Sequence, residues 1–215
     1  MLTEKDKGFI AEMRKVAMKL HTKDQAPKEG EKEAPKPGPW TPTRPGYLRF
    51  LVESKEVFDT FERLVNSSDA YKALRNTGLE RGPGLAADIA WMEKSFHLPP
   101  PEMKADGAAA TYVALLEKLA VTDPPAFICH FYNFYFAHTA GGRMIGSKVA
   151  SMLLDGQTLD FYKWQGDVNE HLEGVRRSIN VMSEGWSPAE KEHCLAETEA
   201  SFKYSGQIMR AITEA

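Results

Sequence analysis

Apolar residues recur along most of this chain at steps of three and four, the period of an α-helix, while the alternation of a strand is almost absent. Phe9, Ile10, Met13, Val16, Ala17 and Leu20 make one such stripe and predict a first helix over 3–23. Leu48, Leu51, Val52, Val57, Phe58, Phe61, Leu64 and Val65 make the next, and shorter segments follow at 85–96 and 108–121. Asp123-Pro124-Pro125, an N-cap residue with proline in the first turn, opens a long segment that reaches Leu154, where Asp155-Gly156 stops it. Two more helices are expected over 168–182 and 188–213. The second begins Ser187-Pro188-Ala189-Glu190, a capping-box spacing with proline at the first helical position. Only 158–164 has some strand character. The pattern predicts an all-α fold in one domain, 1–215.

One interval departs from it. Between Ala26 and Gly46 there are six prolines among Lys, Glu and Gly, which removes backbone donors and disfavours helix. A connection of that length is unusual inside a compact domain and marks a loop that orders against a ligand or partner. The chain has 215 residues, 42% hydrophobic and 27% charged, a balance that excludes a fibrous repeat and wholesale disorder. No run of about 18 apolar residues occurs, so no membrane-spanning helix is expected. With 27 basic and 30 acidic residues there is no electrostatic case for nucleic acid, and a charged partner must meet a local patch. Cys129 and Cys194 lack C-x-x-C spacing, which argues for free thiols in a reducing compartment and against a cysteine zinc site. The N-terminus has neither signal-peptide nor transit-peptide character, as expected either where no leader exists or of a mature form whose leader has been removed. No heptad seam extends through several repeats, and a monomer is expected.

Most histidines read as ordinary. His97 precedes a proline run, His171 and His193 fall on polar helix faces, and His130 lies in an aromatic helix where packing is the simpler role. His21 differs, because it falls at the inner edge of the first apolar stripe, with Arg14 about 10 Å up the same face. It is either a helix-end residue capping carbonyls, or a neutral imidazole aimed into an apolar pocket, which suits a metal macrocycle bearing carboxylates. The segment from Phe131 to Gly146 runs from aromatics into Ala137-His138-Thr139-Ala140-Gly141-Gly142. Glycine costs about 1 kcal/mol against alanine inside a helix, so the pair needs a reason. Close helix packing is one; a backbone lying flat against a planar ligand is the other.

Met13-Arg14-Lys15-Val16-Ala17-Met18-Lys19-Leu20-His21-Thr22 resembles the proximal-ligand segment of heme oxygenases. Cys129 through Gly146 resembles that family's glycine-containing distal helix in its plant chloroplast form, and Phe161-Tyr162-Lys163-Trp164 and Cys194 through Ser205 also resemble the plant branch. The likeness spans nearly the whole chain. It implies heme between the first helix and the distal helix, with His21 as axial iron ligand and no separate metal. Arg14, Tyr132 and Arg176 match propionate-end positions, Phe202 an aromatic at the macrocycle edge, and Gly141 and Gly142 the distal glycines; Arg177 and Lys163 are further candidates. One position departs from the family pattern. Where many members carry an aspartate that organises distal water, this chain has His138, a different donor with an ordinary pKa near neutrality.

The resemblance implies oxidative opening of heme to biliverdin, the IXα isomer, with release of carbon monoxide and ferrous iron. It implies consumption of O2 and of electrons from reduced ferredoxin, in the chloroplast stroma, for phytochrome chromophore biosynthesis. An acidic donor such as ferredoxin needs a basic patch, for which Arg14, Lys15, Lys19, Lys23, Arg176 and Arg177 are candidates. Two alternatives stay open. Some plant relatives lack the ligand histidine, so one is a non-catalytic heme- or bilin-binding regulator on the same fold. The other is an all-α interaction module that uses the 26–46 loop.

Overall fold

The apolar stripes become nine helices among the described residues. The structure is a computed structural model that describes residues 3–25 and 40–214, with 21–25 described by backbone alone. The helices are α1 (Gly8–Gln25), α2 (Arg44–Ser67), α3 (Gly82–Phe96), α4 (Ala108–Thr122), α5 (Pro124–Thr139), α6 (Gly141–Leu153), α7 (Val168–Glu184), α8 (Pro188–Ala196) and α9 (Thr198–Arg210). Short 3-10 turns occur at Glu4–Asp6, Asp69–Leu74, Asp160–Tyr162 and Ala211–Thr213, and there is no strand among the described residues. The fold is all-α, as the periodicity predicts.

Several boundaries differ from expectation for local reasons. The first helix starts at Gly8, not near Thr3, because Gly8 has φ +54° and turns the chain. A Cβ there would lie 2.6 Å from Oδ1 of Asn180 on α7. That oxygen accepts the Ile10 N–H at 2.9 Å, and Nδ2 of Asn180 donates to the Lys7 carbonyl at 3.3 Å, so α7 caps the start of α1. Residues 26–39 of the proline-rich stretch lie outside the described residues. Its end is not loop: Arg44-Pro45-Gly46 is the first turn of α2, where proline removes no helical hydrogen bond, and the Thr43 hydroxyl accepts the Gly46 N–H at 3.0 Å.

The 158–164 stretch is not a strand. Its donors go to a carboxylate, with Asp88 of α3 accepting the N–H groups of Asp160 at 2.8 Å and Phe161 at 2.7 Å. The two longest expected helices are each divided. One breaks at Ala140 (φ −110°, ψ −94°) into α5 and α6, the other at Glu197 into α8 and α9. The expected starts are present: Asp123 Oδ1 accepts the Ala126 N–H, and Ser187 and Glu190 form a complete capping box.

The core lies between α2 and α5. Phe58 and Phe61 of α2 meet Phe134 at ring distances of 4.8 and 5.7 Å, and such pairs add about 0.5–1.5 kcal/mol each beyond burial. α5 is enclosed along most of its length by α2, α4, α8 and α9, while α1 packs across α7, α8 and α9. This leaves α1 and the outward face of α9 at one margin of the bundle.

Candidate functional site

Along α1 the stripe stays periodic but loses its cover. Phe9, Ile10 and Met13 are buried, whereas Val16, Ala17 and Leu20 are only partly so. At that point a groove of about 790 Å³ opens, with Leu20 on one side and Ala200, Phe202, Lys203 and Gly206 of α9 on the other. Its size falls within the range of small-molecule sites. His21 follows Leu20 in the last part of α1, and its side chain lies outside the described residues.

Two turns earlier on α1, three of the expected residues meet. Tyr132 of α5 is buried; burial raises its phenol pKa, and the guanidinium of Arg176, then that of Arg14, draws it back down. Arg176, on α7, lies 4.8 Å over the Phe136 ring, which packs on Tyr132 at 4.2 Å. It pairs with Glu173, whose other oxygen accepts the Glu4 N–H at 2.8 Å, and Arg14 pairs with Asp6 at 3.2 Å. Arg176 Nε is nevertheless buried without a hydrogen-bond partner. A buried cationic donor left unpaired is costly, so the cluster is suited to one more acceptor, an anionic group. Arg177 is exposed beside it on α7. Lys163 belongs elsewhere: it pairs with Asp160 and lines a separate cavity with Arg81 and Trp164.

Gly141 and Gly142 start α6 just after the break. A Cβ on Gly141 would meet nothing within 4 Å, and one on Gly142 would make only ordinary contacts with Ala137 and His138. Internal packing therefore does not require either glycine. Gly146 is the one that packing does require, since a Cβ there would overlap the Tyr162 ring. Its spacing of four from Gly142, on one helix face, was the available sequence signal.

His138 is enclosed by aromatic rings: Phe134 at 4.6 Å, Phe58 at 5.1 Å, Phe161 at 5.3 Å and Phe50 at 6.4 Å. Its Nδ1–H donates to the Phe134 carbonyl at 2.7 Å, and its Nε2 is buried with no partner. Burial pushes its pKa down to about 4, correcting the expectation of a near-neutral value. The ring is a neutral imidazole whose free nitrogen is an acceptor.

The other histidines are structural, as read from the sequence. His130 is fully buried between the Tyr112 hydroxyl (2.9 Å) and Glu197 (3.1 Å). His193 pairs with Asp123, and His171 is 2.7 Å from the Gln165 carbonyl. Cys129 and Cys194 are free and fully buried, and the Cys194 thiol is pushed up in pKa by its hydrogen bond with Cys129 and by burial. No group of three or more His, Cys, Asp or Glu among the described residues could hold a metal ion, and no helix among them is long and apolar enough to cross a membrane.

The fold is a single helical domain with a groove between the last part of α1 and α9, and a guanidinium–phenol cluster where α1, α5 and α7 meet. Residues 41–211 match the family model of heme oxygenase, and the chain belongs to the heme oxygenase family. It is 53% identical to chloroplastic heme oxygenase 1 of Arabidopsis thaliana over 214 residues, covering 96% of this chain and 74% of that protein. Chloroplastic heme oxygenase 1 of rice gives 53% over 213 residues, with 97% and 72% covered. A "probable inactive" chloroplastic heme oxygenase 2 of Arabidopsis is 43% identical over 176 residues, covering 80% of this chain and 58% of that one. Among solved structures, heme oxygenase 2 of Chlamydomonas reinhardtii without heme superposes with a TM-score of 0.70 at 16% identity, covering 97% of this chain and 100% of that one. Heme oxygenase-1 of the cyanobacterium Synechocystis in complex with heme gives 0.70 at 17%, with 96% of each covered; at these identities the likeness is one of fold.

Proposed function

We propose that this protein is an active plastid heme oxygenase that opens heme to biliverdin IXα. Carbon monoxide and ferrous iron are released, and O2 and electrons from reduced ferredoxin are consumed. The observation that carries the reading is the Arg14–Tyr132–Arg176 cluster, with its buried guanidinium nitrogen that lacks a hydrogen-bond partner, on the same helix α1 whose Leu20 borders the groove against α9. The residues present fit heme, a flat apolar ring with two carboxylates at one edge. The higher identity and coverage against the relatives named heme oxygenase 1 than against the one named probable inactive favours turnover over a regulatory role.

Heme, when bound, supplies the redox chemistry of its iron and the ring carbon that is oxidised. The protein supplies position and environment. Arg14, Arg176 and the Tyr132 hydroxyl would hold the propionates and so orient the ring. His21 would ligate the iron, for which a neutral imidazole is the competent form. Phe202 and Leu20 would supply apolar cover for the ring, and Gly141 and Gly142 a stretch of backbone without side chains beside it. His138, neutral, enclosed by aromatic rings and held by the Phe134 carbonyl, would shape the distal side without delivering a proton of its own.

The test is to mix the protein with one equivalent of hemin, add ferredoxin with its reducing system in air, and follow the spectrum. Loss of the Soret band with growth of a bilin band is the expected result. A stable heme spectrum under reduction would leave a carrier or sensor. Absence of any heme band, or a band unchanged by His21→Ala, would overturn the ligand assignment.

A further inference from the structure

The 158–164 stretch meets α5 and α6 on either side of the break at Ala140. Two consecutive residues diverge from it. The Phe161 ring lies 5.3 Å from His138, which precedes the break, and the Tyr162 ring occupies the space that a Cβ on Gly146, which follows it, would take. The stretch itself is held from behind. Asp88, buried on α3, accepts the N–H groups of Asp160 and Phe161, and Arg81 Nη1 donates to the carbonyls of Lys163 (2.6 Å), Phe161 (3.3 Å) and Asp160 (3.4 Å). Arg81 is anchored in turn, because Glu62 of α2 accepts the backbone N–H groups of Arg81 and Gly82 at 2.8 and 3.2 Å. The Tyr162 hydroxyl is 2.8 Å from that of Tyr47, also on α2.

This is more anchoring than a surface connection needs. The backbone polar groups of the stretch are satisfied by two buried charged side chains, and its two rings are spent one on each limb of the bend. A rigid wedge is the physical result: α2 and α3 fix the stretch, and the stretch fixes the angle at which α6 leaves α5. At Gly146 the contact has no slack, since any side chain larger than hydrogen would overlap the tyrosine ring. Gly141 and Gly142, one turn before Gly146, move with α6.

We infer that the contact of Tyr162 with Gly146 sets the position of the Gly141–Gly142 backbone, making Tyr162 and Gly146 positioning residues for the distal face. This rests on the heme oxygenase reading, because only there does the placement of that backbone choose which ring edge is oxidised. Neither residue touches the ligand in this account; both act through the bend.

Gly146→Ala is the first variant, read in two ways. In the ligand-free protein, amide exchange across α6 is expected to quicken by about tenfold or more, the scale on which an overpacked contact weakens local structure. In the hemin-loaded protein, hemin affinity is expected to stay as it was, kcat to fall, and the ratio of bilin isomers to change. Replacing Tyr162 by Val in the same protein removes the overlap and is expected to restore the isomer ratio towards that of the unsubstituted protein. Should Gly146→Ala alone not fold, Tyr162→Ala loosens the same contact from the other side and is expected to change α6 exchange and the isomer ratio in the same direction. Unchanged exchange and unchanged isomers in Gly146→Ala would overturn the inference. So would a double variant no different from the single one. If the unsubstituted protein binds no hemin, the functional reading fails, and the exchange measurement alone still decides whether Tyr162 fixes the bend.

Discussion

Two single residues carry sharp consequences. Arg176 holds a buried, unpaired guanidinium nitrogen beside Tyr132 and Phe136. Hydrogen bonds to charged groups are worth about 1.5–3 kcal/mol, so Arg176→Met is expected to weaken hemin binding by about 10- to 100-fold. A Soret titration checks this, and unchanged affinity would remove Arg176 from the site. His138 carries a prediction about acid. Unfolded, its imidazole gains a proton near pH 6.5; in the fold it does so only near 4. As pH falls, the unfolded state therefore binds the proton first. The stability is whole above about pH 6.5 and declines towards pH 4, by up to about 3 kcal/mol from this residue. Urea unfolding at about pH 7 and about pH 4.5 should show a smaller difference for His138→Gln than for the unsubstituted protein. The buried His130, whose pKa burial also lowers, adds the same sign in both proteins and cancels in the comparison.

At the scale of elements, α1 depends on a side chain 170 residues away in sequence. Asn180→Ala removes both bonds that close the start of α1, and the loss of a cap costs about 0.5–2 kcal/mol. Thermal unfolding should register it, and an unchanged midpoint would show that water replaces the asparagine without loss. That cap illustrates what the chain reveals before folding and what it conceals. The stripes, the Asp123 cap and the Ser187–Glu190 box are local and could be read directly. The breaks at Ala140 and Glu197 could not, because the apolar period runs through both and tertiary contacts decide where the helices divide. At the site, the uncovered half of the α1 stripe was legible only as a continuous stripe, since cover is supplied by α7, α8 and α9. Arg176 and Tyr132 came from resemblance alone, with no spacing to link α5 and α7. The charge state of His138 was misjudged for a similar reason: the rings that desolvate it come from α2 and from Phe161. Nothing in their spacing links Cys129 to Cys194, and the fold brings them together.

At the scale of the whole molecule, a formal charge of −3 would repel an acidic electron donor from a distance, so any attraction must be local. The basic residues near the groove are not equivalent in this respect. Arg14 and Arg176 are already paired with Asp6 and Glu173. Lys15 and Arg177 are exposed, one on α1 and one on α7, at the same margin of the bundle. They are the better docking candidates within the patch. Lys15→Glu combined with Arg177→Glu is therefore expected to slow ferredoxin-driven turnover about tenfold or more at low ionic strength, mainly through the association rate. The difference should shrink as salt approaches 0.15 M, where the screening length is about 8 Å. Hemin affinity and turnover with a small chemical reductant should not change, since neither requires the docked complex. A variant that lost turnover equally with both reductants would place these two residues in the heme site, and one that lost neither would move the docking surface to another face of the bundle.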